Sequence, residues 1–271
     1  MATTLSFLKM NGAGNDFVML DNRDLSLNLD RDNIAHLCDR HRGIGADGLL
    51  AVEPAQGTGD FRMRYYNADG GEAEMCGNGA RCFARFVNKL HHNSLEKVSF
   101  ETQAGIISAE FFGDQVRINM SEPHSFKLHE ELTFEGLPVI VHSVNTGVPH
   151  AVVLVEDLEN TDVRRMGAWL RYHQVFAPKG TNANFVQVIE PGKISIRTYE
   201  RGVEDETLAC GTGMVACALV HHEIIGVNAP VQVTVKGGDT LQVGFEKVDE
   251  RYQNVTLHGP ADFVFQGDVT L

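Results

Sequence analysis

A chain of 271 residues, 43% hydrophobic and 22% charged, has a globular composition and enough length for one large core or two of about 120 to 130 residues each. Its formal net charge of -13 is spread along the sequence, which argues against nucleic acid or an anionic membrane as the main partner. No apolar run approaches a membrane span and Met1 to Met10 lack a signal-peptide layout, so a cytoplasmic protein is expected.

In chain order, Gly14 opens a glycine turn into the apolar strand-like run that ends at Asp21. An amphipathic helix is predicted over Arg31 to Arg40, with Asp30 as its N-cap. Gly43-Ile-Gly-Ala-Asp-Gly-Leu-Leu-Ala-Val-Glu53 and the alternating Phe61 to Asn67 supply two further strand-like segments. Then comes Glu74-Met-Cys-Gly-Asn-Gly-Ala-Arg-Cys82, followed by an apolar helical pattern from Ala80 to Leu90. Strand-like runs at Val98 to Phe112 and Val116 to Met120 close the series near Pro123.

The same series is then written again. Gly147 to Glu156 answers Gly14 to Asp21, and a helix over Asp162 to Tyr172, N-capped by Thr161, answers the first one. Gly180 to Glu190 aligns without a gap against Gly43 to Glu53, and Ile194 to Glu200 against Phe61 to Asn67. Leu208-Ala-Cys-Gly-Thr-Gly-Met-Val-Ala-Cys217 repeats the cysteine block, and Met214 to Ile225 repeats the buried helix. Strand-like runs at Val231 to Phe245 and Asn254 to Leu257 finish near Pro260. The expectation is an α/β chain of α+β type. Two similar domains, residues 1–125 and 126–262, are related by a pseudo-twofold axis, and the active site lies in the cleft between them.

The five cysteines, an odd number without a C-x-x-C pair, fit neither a disulfide framework nor a zinc knuckle. Cys38, Cys82 and Cys217 are read as small buried hydrophobes. Cys76 and Cys210 are set apart because each opens a C-G-x-G block at a helix start. There a thiol feels the positive end of the helix dipole and becomes a usable base. The glycines leave backbone N–H groups open to a carboxylate. Two such blocks point to stereoinversion, with one thiolate removing an α-proton while the opposite thiol supplies another. Pro149-His150 and Tyr199-Glu200-Arg201 end strand-like runs near the presumed site and are candidates to tune the thiols and bind a zwitterion.

These residues resemble the diaminopimelate epimerase family along nearly the whole chain. The resemblance rests on Met10 to Phe17, Gly43 to Asp47, Tyr66 to Gly70, Glu74 to Cys82, Tyr199 to Gly202 and Ala209 to Gly213. It implies that Cys76 and Cys210 are the catalytic acid and base, interconverting LL- and meso-diaminopimelate for lysine and cell-wall precursors, with no cofactor and no metal. It also implies that Asn15, Asn67, Asn182 and Arg201 bind the substrate, Glu200 lies near the reacting amine, and Gly77-Asn78 and Gly211-Thr212 cradle the carboxylate. His150 and Glu200 would modulate the thiols. The family further implies a homodimer, a strongly curved mixed sheet around a buried central helix in each domain, and a strand at 263–271 that returns to the first domain. Two departures stand out. Many members have glutamine where this chain has Gly48, and asparagine where it has Val148, with Asn145 or Thr146 able to take over the latter role.

Other readings stay open at this point: a cofactor-independent racemase of another amino acid such as histidine or proline, a cysteine hydrolase using His150, a thiol redox or binding protein, and a metal site.

Overall fold

A computed structural model describes residues 4–271, which divide into two compact units, the first reaching to Ile118 and including Gly259–Leu271, the second Asn119–His258. Among the described residues no helix is long and apolar enough to cross a membrane. The class is α+β, with a predominance of strands.

The first unit runs β1 (Thr4–Gly12), β2 (Asn15–Asp21), α1 (Arg31–Cys38), β3 (Gly48–Pro54), β4 (Phe61–Asn67), α2 (Gly77–Leu90), β5 (Lys97–Thr102), β6 (Gly105–Phe112) and β7 (Gln115–Asn119). Parallel neighbours β2 and β3 carry unbroken apolar runs because both of their faces are covered. Val18, Leu20, Leu49 and Ala51 pack with Ile34 and Leu37 of α1. On α2, Gly79 lies against Phe17 and Leu50, and Phe83 packs on Phe100 with ring centroids 4.7 Å apart. Burying each large side chain contributes about 1.5 to 3 kcal/mol, so these two layers fix β2 and β3 between the helices.

The second unit runs β8 (His124–Phe134), β9 (Leu137–Asn145), β10 (Pro149–Leu154), α3 (Val163–Tyr172), β11 (Asn182–Glu190), β12 (Lys193–Glu200), β13 (Asp205–Thr207), α4 (Gly211–Ile225), β14 (Val231–Thr234), β15 (Thr240–Val248) and β16 (Arg251–Pro260). α4 is apolar on every side, and Met214 to Val220 are fully buried, as expected of a helix enclosed by its own sheet. It touches β9, β10, β11, β12, β14 and β15. Gly226, left-handed at φ 76°, ends it and gives its N–H to His222 O at 2.8 Å.

A last strand, β17 (Asp262–Thr270), belongs to the first unit and pairs antiparallel with β1 from Thr4–Thr270 to Asn11–Asp262. The two units then have one internal plan. In the first, the order β17-β1-β2-β3-β4-β5-β6-β7 is antiparallel except for the parallel pairs β2–β3 and β4–β5. In the second, β8-β9-β10-β11-β12-β14-β15-β16 is antiparallel except for β10–β11 and β12–β14. β17 therefore takes the place that β8 has in the other unit.

Two expectations need correction. α3 is capped by Asp162, whose carboxylate accepts Arg165 N–H at 3.2 Å, while the Thr161 hydroxyl turns to Asp157 O at 2.6 Å. The gapless match of Gly43–Glu53 to Gly180–Glu190 is out of register by three residues. Gly48 pairs with Phe17 and Leu49 with Tyr66, whereas Asn182 pairs with His150 and Ala183 with Tyr199. Phe17 corresponds to His150 and Tyr66 to Tyr199, so the counterpart of Asn182 is Gly48. The matched glycines do different jobs: Gly43 packs on the last turn of α1, while Gly180 is left-handed at φ 68°. The ladder decides the register.

Candidate active site

In the first unit Cys76 is the N-cap of α2, in extended conformation at φ -137° and ψ 121°. Gly79 N–H donates to its Sγ at 3.4 Å, and the sulfur lies 3.5 Å from Asn15 Oδ1. The N–H groups of Gly77 and Asn78 have no partner within the helix by its geometry and face the N-terminal end. Asn78 is 1% exposed; its Oδ1 accepts from Arg81 at 3.0 Å, and its Nδ2 has no hydrogen-bond partner among the described residues. Arg81 is itself fully buried and holds the returning chain through Pro260 O at 3.1 Å.

Asn15 is held from behind by Asp47, which accepts its Nδ2 at 2.7 Å. Arg40 bridges Asp47 and Asp16, and Lys9 joins Asp16 at 2.7 Å. Burial pushes the Asp16 carboxyl up, but Arg40, Lys9 and the Asp47 amide outweigh it and hold it well below the usual carboxylate range. Asn67 stands at the exposed end of β4, where Tyr65 Oη donates to its Oδ1 at 3.0 Å.

In the second unit Cys210 caps α4 at φ -126° and ψ 110° and is 7% exposed. Its Sγ lies 3.6 Å from Thr212 Oγ1, which is 2.9 Å from His150 Nε2. His150 Nδ1 is 3.1 Å from Asn184 Nδ2, which also donates to Ala151 O at 2.9 Å. Asn184 Oδ1 accepts the Thr198 hydroxyl at 3.0 Å. Burial and then the Arg201 charge push the His150 imidazole down to about 3. His150 is therefore neutral at physiological pH.

Asn182, the first residue of β11, has both ends of its amide bonded: Nδ2 to Pro149 O at 3.2 Å and Oδ1 from Arg201 N–H at 2.8 Å. It sets the start of the turn that carries Arg201. Glu200 ends β12, and its Oε2 accepts the Thr207 hydroxyl at 3.0 Å; burial raises its carboxyl. Of the two replacements for the Val148 side chain, Thr146 is fully buried and gives its hydroxyl to Thr212 O at 3.0 Å. Asn145 uses Oδ1 for Gly147 N–H at 2.9 Å.

Three residues to which the sequence assigned no role thus hold the expected ones: Asp47 behind Asn15, Asn184 behind His150, and Thr207 against Glu200. The signal for Asn184 was present, because Asn182 and Asn184 alternate on one face at the start of a strand whose first half is otherwise apolar. Among the described residues no group of three or more His, Cys, Asp or Glu is arranged to hold a metal ion.

This arrangement has close company among known proteins. The chain is 42% identical over 275 residues to the diaminopimelate epimerase of Aquifex aeolicus, covering 97% of each, and 44% identical over 269 residues to that of Chlorobaculum tepidum, covering 97% of this chain and 100% of the relative. In structure it is similar to a phenazine biosynthesis protein of the PhzF family from Bacillus anthracis, with a TM-score of 0.74 at 16% identity over 99% of this chain and 100% of the other. It is likewise similar to a hydroxyproline epimerase from Agrobacterium vitis, with a TM-score of 0.71 at 18% identity over 99% and 93%. At those identities the two structures speak for the fold. The family profile described as Diaminopimelate epimerase matches residues 7–125 and 142–264, taking in both cysteine-capped helices, and with relatives above 40% identity over nearly full length the chain belongs to the diaminopimelate epimerase family, whose members are isomerases.

Proposed function

We propose that this chain interconverts LL- and meso-diaminopimelate by inverting one α-carbon, with Cys76 and Cys210 as paired acid and base and with neither PLP nor a metal. One observation carries the reading. Each unit caps its long buried helix with a cysteine followed by Gly-x-Gly, at the same place in the same strand plan. One thiolate takes the α-proton: an S–H bond forms, and the C–H electron pair remains on carbon and spreads into the carboxylate. The other thiol gives its proton to the opposite face and keeps the S–H pair. Thiol and thiolate have then exchanged roles, with no net change in protons or electrons.

First-turn N–H groups at Gly77-Asn78 and Gly211-Thr212 stabilise charge growing on the carboxylate. Arg201 offers a bidentate grip on the distal carboxylate, with Asn15, Asn67 and Asn182 orienting the polar ends. Glu200, raised by burial, sits by the reacting amine, and neutral His150 acts on Cys210 through Thr212. The same reading puts the enzyme in the cytoplasm, in lysine and cell-wall precursor synthesis, as a homodimer, which sedimentation at several concentrations checks.

The decisive experiment follows α-hydrogen exchange of LL-diaminopimelate in deuterated water by reduced, EDTA-treated, PLP-free protein, with Cys76→Ala and Cys210→Ala alongside. Deuterium uptake with meso product, and loss of inversion in either variant, is the expected result. Uptake from histidine or proline but not diaminopimelate would move the substrate, and inversion surviving either substitution would end the two-base reading.

A further inference from the structure

The hydrogen bonds behind Cys210 have a direction. Asn184 Nδ2 is 2.9 Å from the Ala151 carbonyl, which only accepts, while its Oδ1 takes the Thr198 hydroxyl at 3.0 Å. The amide is thus fixed with its NH2 toward His150, and an NH2 group 3.1 Å from Nδ1 requires Nδ1 to accept. A neutral imidazole that accepts at Nδ1 carries its proton on Nε2. That proton points to Thr212 Oγ1 at 2.9 Å, and a hydroxyl oxygen that receives it is left to turn its own proton to Cys210 Sγ at 3.6 Å. Gly213 belongs to the same device: a Cβ there would stand 2.5 Å from Asn184 Oδ1.

We propose that Asn184 is a positioning residue, which locks His150 in the Nε2–H tautomer so that the Thr212 hydroxyl donates to Cys210 Sγ and favours its thiolate. The Cys76 sulfur is held by other groups, with Asn15 Oδ1 at 3.5 Å and the Gly79 N–H donating to it at 3.4 Å. Burial keeps His150 neutral, with its imidazole pushed down to about 3, so it holds the relay without becoming a cation at neutral pH. This deepens the two-base reading and rests on it for its catalytic meaning, but the relay itself is tested without substrate.

Full-length protein labelled with 15N-histidine, observed by long-range 1H–15N correlation, reports the tautomer of His150, assigned from the spectrum of His150→Gln. The expected result is Nε2–H in the parent and Nδ1–H in Asn184→Asp, whose carboxylate can only accept. An Nδ1–H parent, or a variant that stays Nε2–H, would overturn the lock. In parallel, iodoacetamide alkylation of Cys210 at neutral pH, read by peptide mass mapping, should slow about tenfold in Thr212→Val, the loss of roughly one hydrogen bond to an ion, and recover in Thr212→Ser. A Val variant that alkylates at the parent rate, or a Ser variant as slow as Val, would overturn the donation to sulfur. Because neither readout uses diaminopimelate, failure of the relay and failure of the assigned reaction remain separable.

Discussion

Asn15 Nδ2 lies 2.7 Å from Asp47 Oδ2, and this contact decides which end of the Asn15 amide faces Cys76. The carboxylate can only accept, so the NH2 is held on the Asp47 side and Oδ1 is turned to the sulfur at 3.5 Å. Replacing Asp47 with alanine leaves the amide able to rotate. We expect kcat/KM of Asp47→Ala to fall about five- to tenfold, the worth of one hydrogen bond, with Asp47→Asn retaining less than the parent because its amide can present either end. Steady-state kinetics with LL-diaminopimelate checks this, and an unchanged kcat/KM in the alanine variant would sink it.

The two C-G-x-G blocks should differ in their tolerance of a methyl group. At Gly213 a Cβ would meet Asn184 Oδ1 at 2.5 Å, and Asn184 is fully buried, so something must move. Gly213→Ala is expected to cost about 1 to 3 kcal/mol of stability. At Gly79 the nearest atoms are Leu50 Cδ1 at 3.3 Å and Phe17 Cζ at 3.4 Å. Gly79→Ala gains up to about 1 kcal/mol of helix propensity against that crowding and should be near neutral. Urea unfolding of both variants tests the ordering.

Gly48 stands where a side chain has little room. A Cβ on Gly48 would lie 2.6 Å from Tyr66 O and 2.9 Å from the Tyr65 ring. Tyr65 reaches Asn67 instead, through its hydroxyl at 3.0 Å. Gly48→Gln is expected to destabilise by about 1 to 3 kcal/mol, and adding Tyr65→Ala should recover only part of it, because the Tyr66 carbonyl stays. Full recovery in the double variant would show that the tyrosine ring alone excludes the side chain.

Two buried histidines tie stability to pH. Burial pushes His142 down to about 4, with His129 adding to it, and burial with Arg201 pushes His150 down to about 3, from an ordinary 6.5. Below that ordinary value the unfolded chain takes up protons that these residues refuse, so stability is full above it and declines as pH falls toward the folded values. Chemical denaturation at about pH 7.5 and about pH 5 should give the lower stability at the acid value, and His142→Gln should narrow the gap. A gap that His142→Gln leaves unaltered would assign the acid sensitivity to other groups.

The helices and their cysteine caps were legible because each depends on neighbours in sequence: a cap residue, two glycines, then a largely apolar helical pattern. What depended on distant partners was not. The β8–β9 hairpin went unseen because its turn, Glu135-Gly136, places a glutamate at φ 52° where Asn-Gly is the usual signal, and because β8 alternates exposed with half-buried residues. The three-residue register error arose because Gly, Ala and Asx recur around Gly43 and Gly180, although only the ladder shows that Gly48 answers to Asn182. Asp47 and Asn184 were overlooked for the same reason, since each acquires its meaning from a side chain more than thirty residues away, Asn15 at a separation of 32 and His150 at 34.

The pairing of β17 with β1 also bears on how the chain folds as it is made. β1 leaves the ribosome before the second unit, yet its outer partner is translated only after the whole of that unit. Until then β1 carries an open edge of unpaired backbone groups. The second unit contains its own β8 in sequence and can close without waiting. The unit synthesised second should therefore be the first to complete its sheet, and the nascent first half is the form of this protein most in need of a chaperone.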